Sequence, residues 1–156
     1  MNLPQPIENK PLELLTQGVF TPRRIVEKEW GTEYIVVNND HYCLKIMHLL
    51  PGKHCSQHMH EIKQETFLVQ EGWMELKTKL GLINDFDFLG TEHRELSDWK
   101  SRILKPGDKF TLPPRTWHVF LNHSTEMCKF IEVSTTDSSK DVVRGKVSGD
   151  VESYTS

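Results

Sequence analysis

The chain has 156 residues, 37% of them hydrophobic and 26% charged, with a formal net charge of −3. That length suits one domain with a real core, and the composition is that of a soluble globular protein. No run approaches the roughly 18 apolar residues of a membrane span, and with no overall basic bias the chain is not expected to bind nucleic acid.

Residues 1–15 contain no apolar stretch of signal-peptide length. The three cysteines, Cys43, Cys55 and Cys128, are odd in number and lack CxxC spacing. Free thiols in a reducing cytoplasm are therefore expected.

In chain order, residues 1–23 read as an arm with a short helix at 11–18, opened by Pro11 and stopped by Gly18. From residue 24 the texture changes to short runs rich in Ile, Val, Tyr and Leu. Residues 24–28, 33–37 and 42–50 read as strands, punctuated by Trp30-Gly31 and Asn38-Asn39-Asp40 and ended by Pro51-Gly52. Residues 57–60 form a further strand, and 65–71 with 73–80 read as a hairpin around Gly72. The acidic stretch 81–100 carries Asp85, Asp87, Glu92, Glu95 and Asp98 beside Phe86, Phe88 and Leu89. It reads as a long loop: a lid, a dimer contact, or a variable connection without a role. Strands resume at 101–104, 109–112, 117–122 and 128–134. The tail, 137–156, is polar, and its end is expected to fray. Some ten short strands and little helix predict an all-β sandwich or barrel over 24–136.

The chemistry concentrates in Gly52 to Gly72. Side chains two apart on a strand share a face, so His58 and His60 point together with Met59 opposite. Two imidazoles on one face can reach a single ion at N–metal distances of roughly 2 Å. Glu65 lies an odd five residues beyond His60. Residues 61–64 must therefore break the strand, so that Glu65 re-enters facing inward and shares its face with Phe67 and Val69. His118, on a strand whose inward phase is His118, Phe120 and Asn122, completes a set of four. Three imidazoles and a carboxylate suit one divalent transition ion, Mn, Fe, Zn, Co or Ni, with one or two positions open if it is five- or six-coordinate.

These residues resemble the two motifs of the cupin superfamily. Gly52, His58, His60, Glu65 and Gly72 fit the first, G-x5-H-x-H-x(3,4)-E-x6-G. Gly107, Pro113, His118 and Asn122 fit the second, G-x5-P-x-G-x2-H-x3-N, except that Arg115 stands where glycine is usual. The resemblance covers roughly residues 24–136. It implies a cupin jelly-roll β-barrel, usually a homodimer, with one metal ion per chain held by His58, His60, Glu65 and His118. Residues 30–34, 42–45, 131–135 and 141–144, with the His-x-His-x2-Lys-x-Glu form of the first motif, further resemble small cupins related to sugar and sugar-phosphate isomerases. The named groups are the cupin domain of type II phosphomannose isomerase and the D-lyxose isomerases.

The resemblance thus implies a cytoplasmic metal-dependent aldose–ketose isomerase acting on a sugar or sugar phosphate through a metal-stabilised enediolate. Such chemistry needs an ion to hold two adjacent sugar oxygens and a base to carry a proton between carbons. Glu132 is the first candidate: with Phe130 and Ser134 facing inward, it points into an otherwise apolar barrel, where a carboxyl titrates higher. Lys63 is the second candidate, or else a ligand for a substrate oxygen. Either Lys45 or His48 faces the site, because both faces of residues 43–49 are largely apolar. Glu75 and Lys77 read as a solvated face, and Trp117 as core. Arg144, in a C-terminal segment with Asp141, is placed to bind a substrate phosphate or carboxylate. An iron-dependent dioxygenase and a non-enzymatic sugar- or acid-binding cupin are the competing readings.

Overall fold

The computed structural model describes residues 22–80 and 99–154. The helix expected at 11–18 and most of the loop at 81–100 lie outside them. The described strands form two antiparallel sheets. The first runs, edge to edge, β1 (Arg24–Lys28), β2 (Gly31–Asn38), β3 (Cys43–Leu49), β11 (Cys128–Ser134), β6 (Glu65–Glu71) and β9 (Lys109–Leu112). The second runs β12 (Val142–Arg144), β5 (His58–His60), β10 (Thr116–Leu121), β4 (Lys53–His54) and β13 (Gly149–Asp150), with β7 (Met74–Leu80) and β8 (Lys100–Leu104) extending it from β10. This is the expected jelly-roll arrangement.

Strict alternation sets what enters the barrel. On β3, Cys43, Lys45, Met47 and Leu49 are buried while Leu44, Ile46 and His48 lie on the outer face. On β11, Cys128, Phe130, Glu132 and Ser134 are buried. Lys45, Glu132 and Phe67 lie side by side in register across β3, β11 and β6. In the other sheet, Arg144, His58 and His118 form a row across β12, β5 and β10. Between the sheets, Phe120 packs edge-on against Trp30 (ring centroids 5.2 Å) and Phe130 (5.1 Å), and Phe67 against Phe130 (5.8 Å). This aromatic cluster is the floor on which the polar residues stand.

Three expectations change. The first is the hairpin: β6 and β7 do not pair with each other; β6 lies in the first sheet and β7 in the second. Both strands present alternate buried residues, so each needs the opposite wall of the core rather than an adjacent strand. Gly72 makes the crossing at φ 69°, and a Cβ there would stand 2.6 Å from the Met127 carbonyl oxygen.

The second concerns Arg115. It occupies a left-handed conformation, φ 61°, and its N–H donates to the His60 carbonyl at 2.7 Å. A non-glycine residue thus holds the backbone shape that glycine usually supplies.

The third is the C-terminal tail, which is part of the barrel. β12 pairs with β5 and β13 with β4, and the short helix α1 (Val151–Tyr154) buries Val151 and Tyr154. The Tyr154 ring meets the His54 ring at 4.9 Å and lies between the Lys77 and Lys146 ammonium groups, 5.2 and 5.0 Å from its centroid. Two apolar anchors three residues apart dock a segment whose composition is otherwise polar. No helix among the described residues is long and apolar enough to cross a membrane.

The plug can be tested directly. Tyr154 is 1% exposed, and its hydroxyl has no hydrogen-bond partner among the described residues. Tyr154→Ala is expected to cost about 3 kcal/mol, read as a lower urea midpoint at unchanged slope. Tyr154→Phe, which removes only an unpaired buried hydroxyl, is expected to be neutral or stabilising. Equal losses in both variants would show that the hydroxyl, not the packed ring, anchors the tail.

Candidate functional site

His58 and His60 open from β5 into the barrel, and His118 reaches in from the neighbouring β10. Their ring centroids are 4.2 Å (His58–His118), 5.4 Å (His58–His60) and 6.2 Å (His60–His118) apart. After His60 the chain bends and Glu65 begins β6 in the opposite sheet, so the break expected at 61–64 is a crossing between sheets. Both walls therefore contribute.

Each imidazole is oriented by a backbone carbonyl at its Nδ1: Ser56 for His58 (2.7 Å), Asp141 for His60 (3.1 Å) and Thr116 for His118 (3.0 Å). A carbonyl only accepts, so Nδ1 carries a proton, and in a neutral ring Nε2 keeps its lone pair. Burial lowers the pKa of His58, the neighbouring His118 adds to this, and His58 falls well below the usual imidazole range. Burial lowers His60 as well, against the pull of Glu65. Neutral rings with free Nε2 atoms are the form that binds metal.

The strongest evidence of fit is at Glu65, 3% exposed. Its Oε2 lies 3.3 Å from His118 Nε2, and its Oε1 3.6 Å from His60 Nε2. His118 Nε2 is buried without a hydrogen-bond partner. A neutral His118 ring faces that carboxylate with a lone pair, a contact that a cation between them would relieve. The donor set, His58, His60, His118 and Glu65, therefore fits a divalent transition ion. Among the described residues no three such groups are closed to coordination distances; Glu65 Oε1 accepts from Lys63 Nζ at 2.8 Å.

Lys63 leads into a second, wholly ionic half of the site. Its Nζ also donates to Glu132 Oε1 at 2.6 Å and lies 3.1 Å from Asp137 Oδ1. Lys45 Nζ lies 3.0 Å from Asp137, 3.5 Å from Glu132 and 3.9 Å from Glu33. Burial alone would lower both lysines; the carboxylates outweigh it, raising Lys63 above the ordinary range and Lys45 to about 12. Likewise burial would raise Asp137, but Lys45 and Lys63 hold it at about 2. The apolar surroundings expected for Glu132 are thus not there: it is flanked by two ammonium groups.

The alternation on β3 settles one open choice, since Lys45 points into the site and His48 lies outside against Tyr34, 4.8 Å between rings. A cavity of about 480 Å³ is lined by the histidines, Glu65, Lys45, Lys63 and Glu132, within the roughly 300–1,000 Å³ of small-molecule sites. Arg144 lies exposed at its mouth, bound to Ser56 Oγ at 2.7 Å, rather than among the buried charges. Two residues were missed as site members. Asp137 joins the two lysines, and Asp141 supports the bend between His60 and Glu65. The available signal was weak: they are two of four acidic side chains in the tail, with Asp150 and Glu152.

Comparison with known proteins agrees with this geometry. The family described as D-lyxose isomerase matches residues 19–149. A D-lyxose ketol-isomerase of Thermofilum sp. is 33% identical over 100 residues, 58% of this chain and 56% of that protein. A D-lyxose/D-mannose isomerase of Thermosediminibacter oceani is 31% identical over 94 residues, 55% of this chain and 52% of that protein. The match thus spans about half the length of these curated relatives. Among solved structures, KdgF from Halomonas sp. superposes with TM-score 0.56 at 17% identity over 76% of this chain and 92% of its own. An oxalate decarboxylase variant of Bacillus subtilis superposes with TM-score 0.62 at 14% identity over 81% of this chain and 31% of its own. These structures share the fold. With its barrel, its motifs and most of its length accounted for, the chain belongs to the D-lyxose isomerase family of cupins.

Proposed function

We propose that this protein is a metal-dependent aldose–ketose isomerase, acting on a monosaccharide such as the D-lyxose or D-mannose in its relatives' names, or on a sugar phosphate. The observation that carries the reading is Lys63, which bridges Glu65 of the ligand set to Glu132 across one cavity (2.8 and 2.6 Å). Proton-transfer groups are thereby placed beside a set fit for a Lewis acid. His58, His60, His118 and Glu65 would hold the ion, which supplies polarisation of the substrate carbonyl.

The chain's own residues divide the proton work. Glu132 takes the proton from the carbon next to the aldehyde and returns it to the former carbonyl carbon. Lys63 cannot be that base. Its three N–H donors face three carboxylates, and an ammonium has no lone pair. It serves instead as a hydrogen-bond donor to the substrate oxygens, stabilising the enediolate while the hydroxyl proton passes from one oxygen to the other. Lys45 holds Glu132 from the other side, and Arg144 at the mouth meets the far end of the substrate. Buried free thiols at Cys43, Cys55 and Cys128 support a reducing, cytoplasmic setting.

We further propose a homodimer through the outer face of the first sheet. Ile25, Tyr34, Ile46, Ile131 and Leu68 form one row in register across five strands, and Val37, Leu44 and Val133 a second beside it. Ile25 is 53% exposed, Val133 45% and Leu68 39%. At strand spacings of about 4.8 Å the two rows cover roughly 300 Å², enough for the apolar centre of an interface with a polar rim.

Three outcomes are expected. Glu132→Gln should lower kcat for conversion of D-lyxose or D-mannose to the matching ketose about 10²- to 10⁴-fold, in air or without oxygen, with metal affinity unchanged. Oxygen uptake without sugar conversion would replace this reading with the dioxygenase. Stripping with a chelator should lower the melting temperature, and Mn²⁺ at 100 times its Kd should restore about 2.7 kcal/mol. That restoration should vanish in His118→Ala. Ile131→Lys should shift the sedimentation mass from two chains to one; a wild-type monomer at the same concentration would remove the dimer.

A further inference from the structure

Asp141 is 7% exposed and lies at the start of the C-terminal segment, far in sequence from the ligands. Its carboxylate accepts three consecutive backbone N–H bonds from the bend between His60 and Glu65. Oδ1 takes those of Glu61 and Ile62, and Oδ2 that of Lys63, each at 3.0 Å. Its own carbonyl accepts from His60 Nδ1 at 3.1 Å. Oδ2 lies 3.7 Å from the same nitrogen, and among the described residues no lysine or arginine is paired with this carboxylate. The charge is therefore compensated by peptide dipoles, as in a backbone anion nest.

The bend has an unusual burden. In four residues it must carry the chain from one sheet to the other and still present His60, Lys63 and Glu65 to the same cavity. Three N–H groups left unpaired in a partly buried bend would each cost hydrogen-bonding energy and leave several backbone shapes open.

We propose that Asp141 is a positioning residue for the metal centre and for Lys63. By gathering the N–H groups of residues 61–63 on one carboxylate, it fixes the angle between the two sheets' contributions to the site. This inference rests on the metal-binding reading above and adds to it a residue outside both motifs. Outer partners that orient metal ligands commonly govern affinity by 10- to 100-fold.

Asp141→Asn is the sharp variant. Its single amide oxygen can still accept from Glu61 and Ile62, but its NH₂ then confronts the Lys63 N–H, donor against donor. The experiment titrates the chelator-stripped full chain with Co²⁺ and follows visible absorption, for wild type, Asp141→Asn, Asp141→Ala and the distant destabilised control Tyr154→Ala. The expected result is a Co²⁺ Kd 10- to 100-fold weaker and an altered absorption envelope in both Asp141 variants, with wild-type values in the control. At saturating metal, kcat for sugar conversion should fall with KM little changed. Hydrogen exchange of the Glu61, Ile62 and Lys63 amides, slow in the stripped wild type, should become fast in Asp141→Asn, a readout that needs neither metal nor substrate. Wild-type Co²⁺ affinity and spectrum in Asp141→Asn would overturn the inference and leave the metal reading standing. Equal weakening in Tyr154→Ala would reduce Asp141 to general stability and overturn it too. Failure of the wild type to take up Co²⁺ would remove both.

Discussion

The structure depends on a network of ion pairs inside the barrel. Lys45 and Lys63 are linked by ion pairs to Glu33, Glu65, Glu132 and Asp137, so two ammonium groups face four carboxylates. Arg24, Lys28 and Arg144 line the same cavity. Buried carboxylates are costly in a low dielectric unless counter-charges face them, and a divalent cation at the histidine end would add one beside Glu65 and His118. The ionic half and the ligand half are therefore one electrostatic unit, joined at Glu65 and Lys63.

The jelly roll makes this unit possible by splitting it between walls. The imidazoles stand on β5 and β10 of one sheet; Glu65, Glu132 and Lys45 stand on β6, β11 and β3 of the other. Neither sheet alone carries a binding site. Aromatic packing of Phe67, Phe120 and Phe130 below holds the walls at a fixed separation, and Phe67 also meets the His118 ring at 6.0 Å. Side chains packed at crystal-like density transmit such constraints, so ligand geometry inherits the rigidity of the core. The C-terminal segment closes the arrangement from outside: β12 extends the sheet beside β5, and Asp137 and Asp141 enter the site from the turns before it.

Much of this was legible from period-2 reasoning, and the exceptions have physical causes. His58, His60, Glu65 and His118 could be placed because each lies on a strand with one plainly buried phase. The need for a break before Glu65 followed from an odd spacing. Lys45 against His48 could not be chosen because Leu44 and Ile46 make the outer face of β3 apolar too, and that face belongs to an uncovered sheet surface. The β6–β7 hairpin was misread because a glycine between two strands looks the same whether the chain pairs back or crosses the core; only the partners of each strand decide. The end of the tail was read as frayed because average polarity hid Val151 and Tyr154. Glu132 was placed correctly but given the wrong surroundings. The two lysines that flank it come from positions 45 and 63, the aspartate that joins them from 137, and no local pattern connects them.

That last point bears on how a carboxylate can work as a base beside two ammonium groups. In isolation, a buried glutamate would gain basicity by desolvation, which was the sequence-based argument for Glu132. Here its charge is balanced by Lys45 and Lys63 before substrate arrives. The carboxylate is thus fixed in direction, which the proposed base needs at the start of the reaction. Lys63 is shared with Glu65 and Asp137, so it can shift its hydrogen bond toward a substrate oxygen without leaving the cluster. In the proposed mechanism Glu132 would lose its negative charge on accepting the carbon-bound proton, and Lys63 would turn to the oxygen on which charge then develops. The charge lost on Glu132 would reappear on the substrate, so the site and substrate together would keep a constant net charge through the proton transfer. Reversing the same exchange returns the proton to the neighbouring carbon, so a single Glu–Lys pair can serve both halves of the isomerisation.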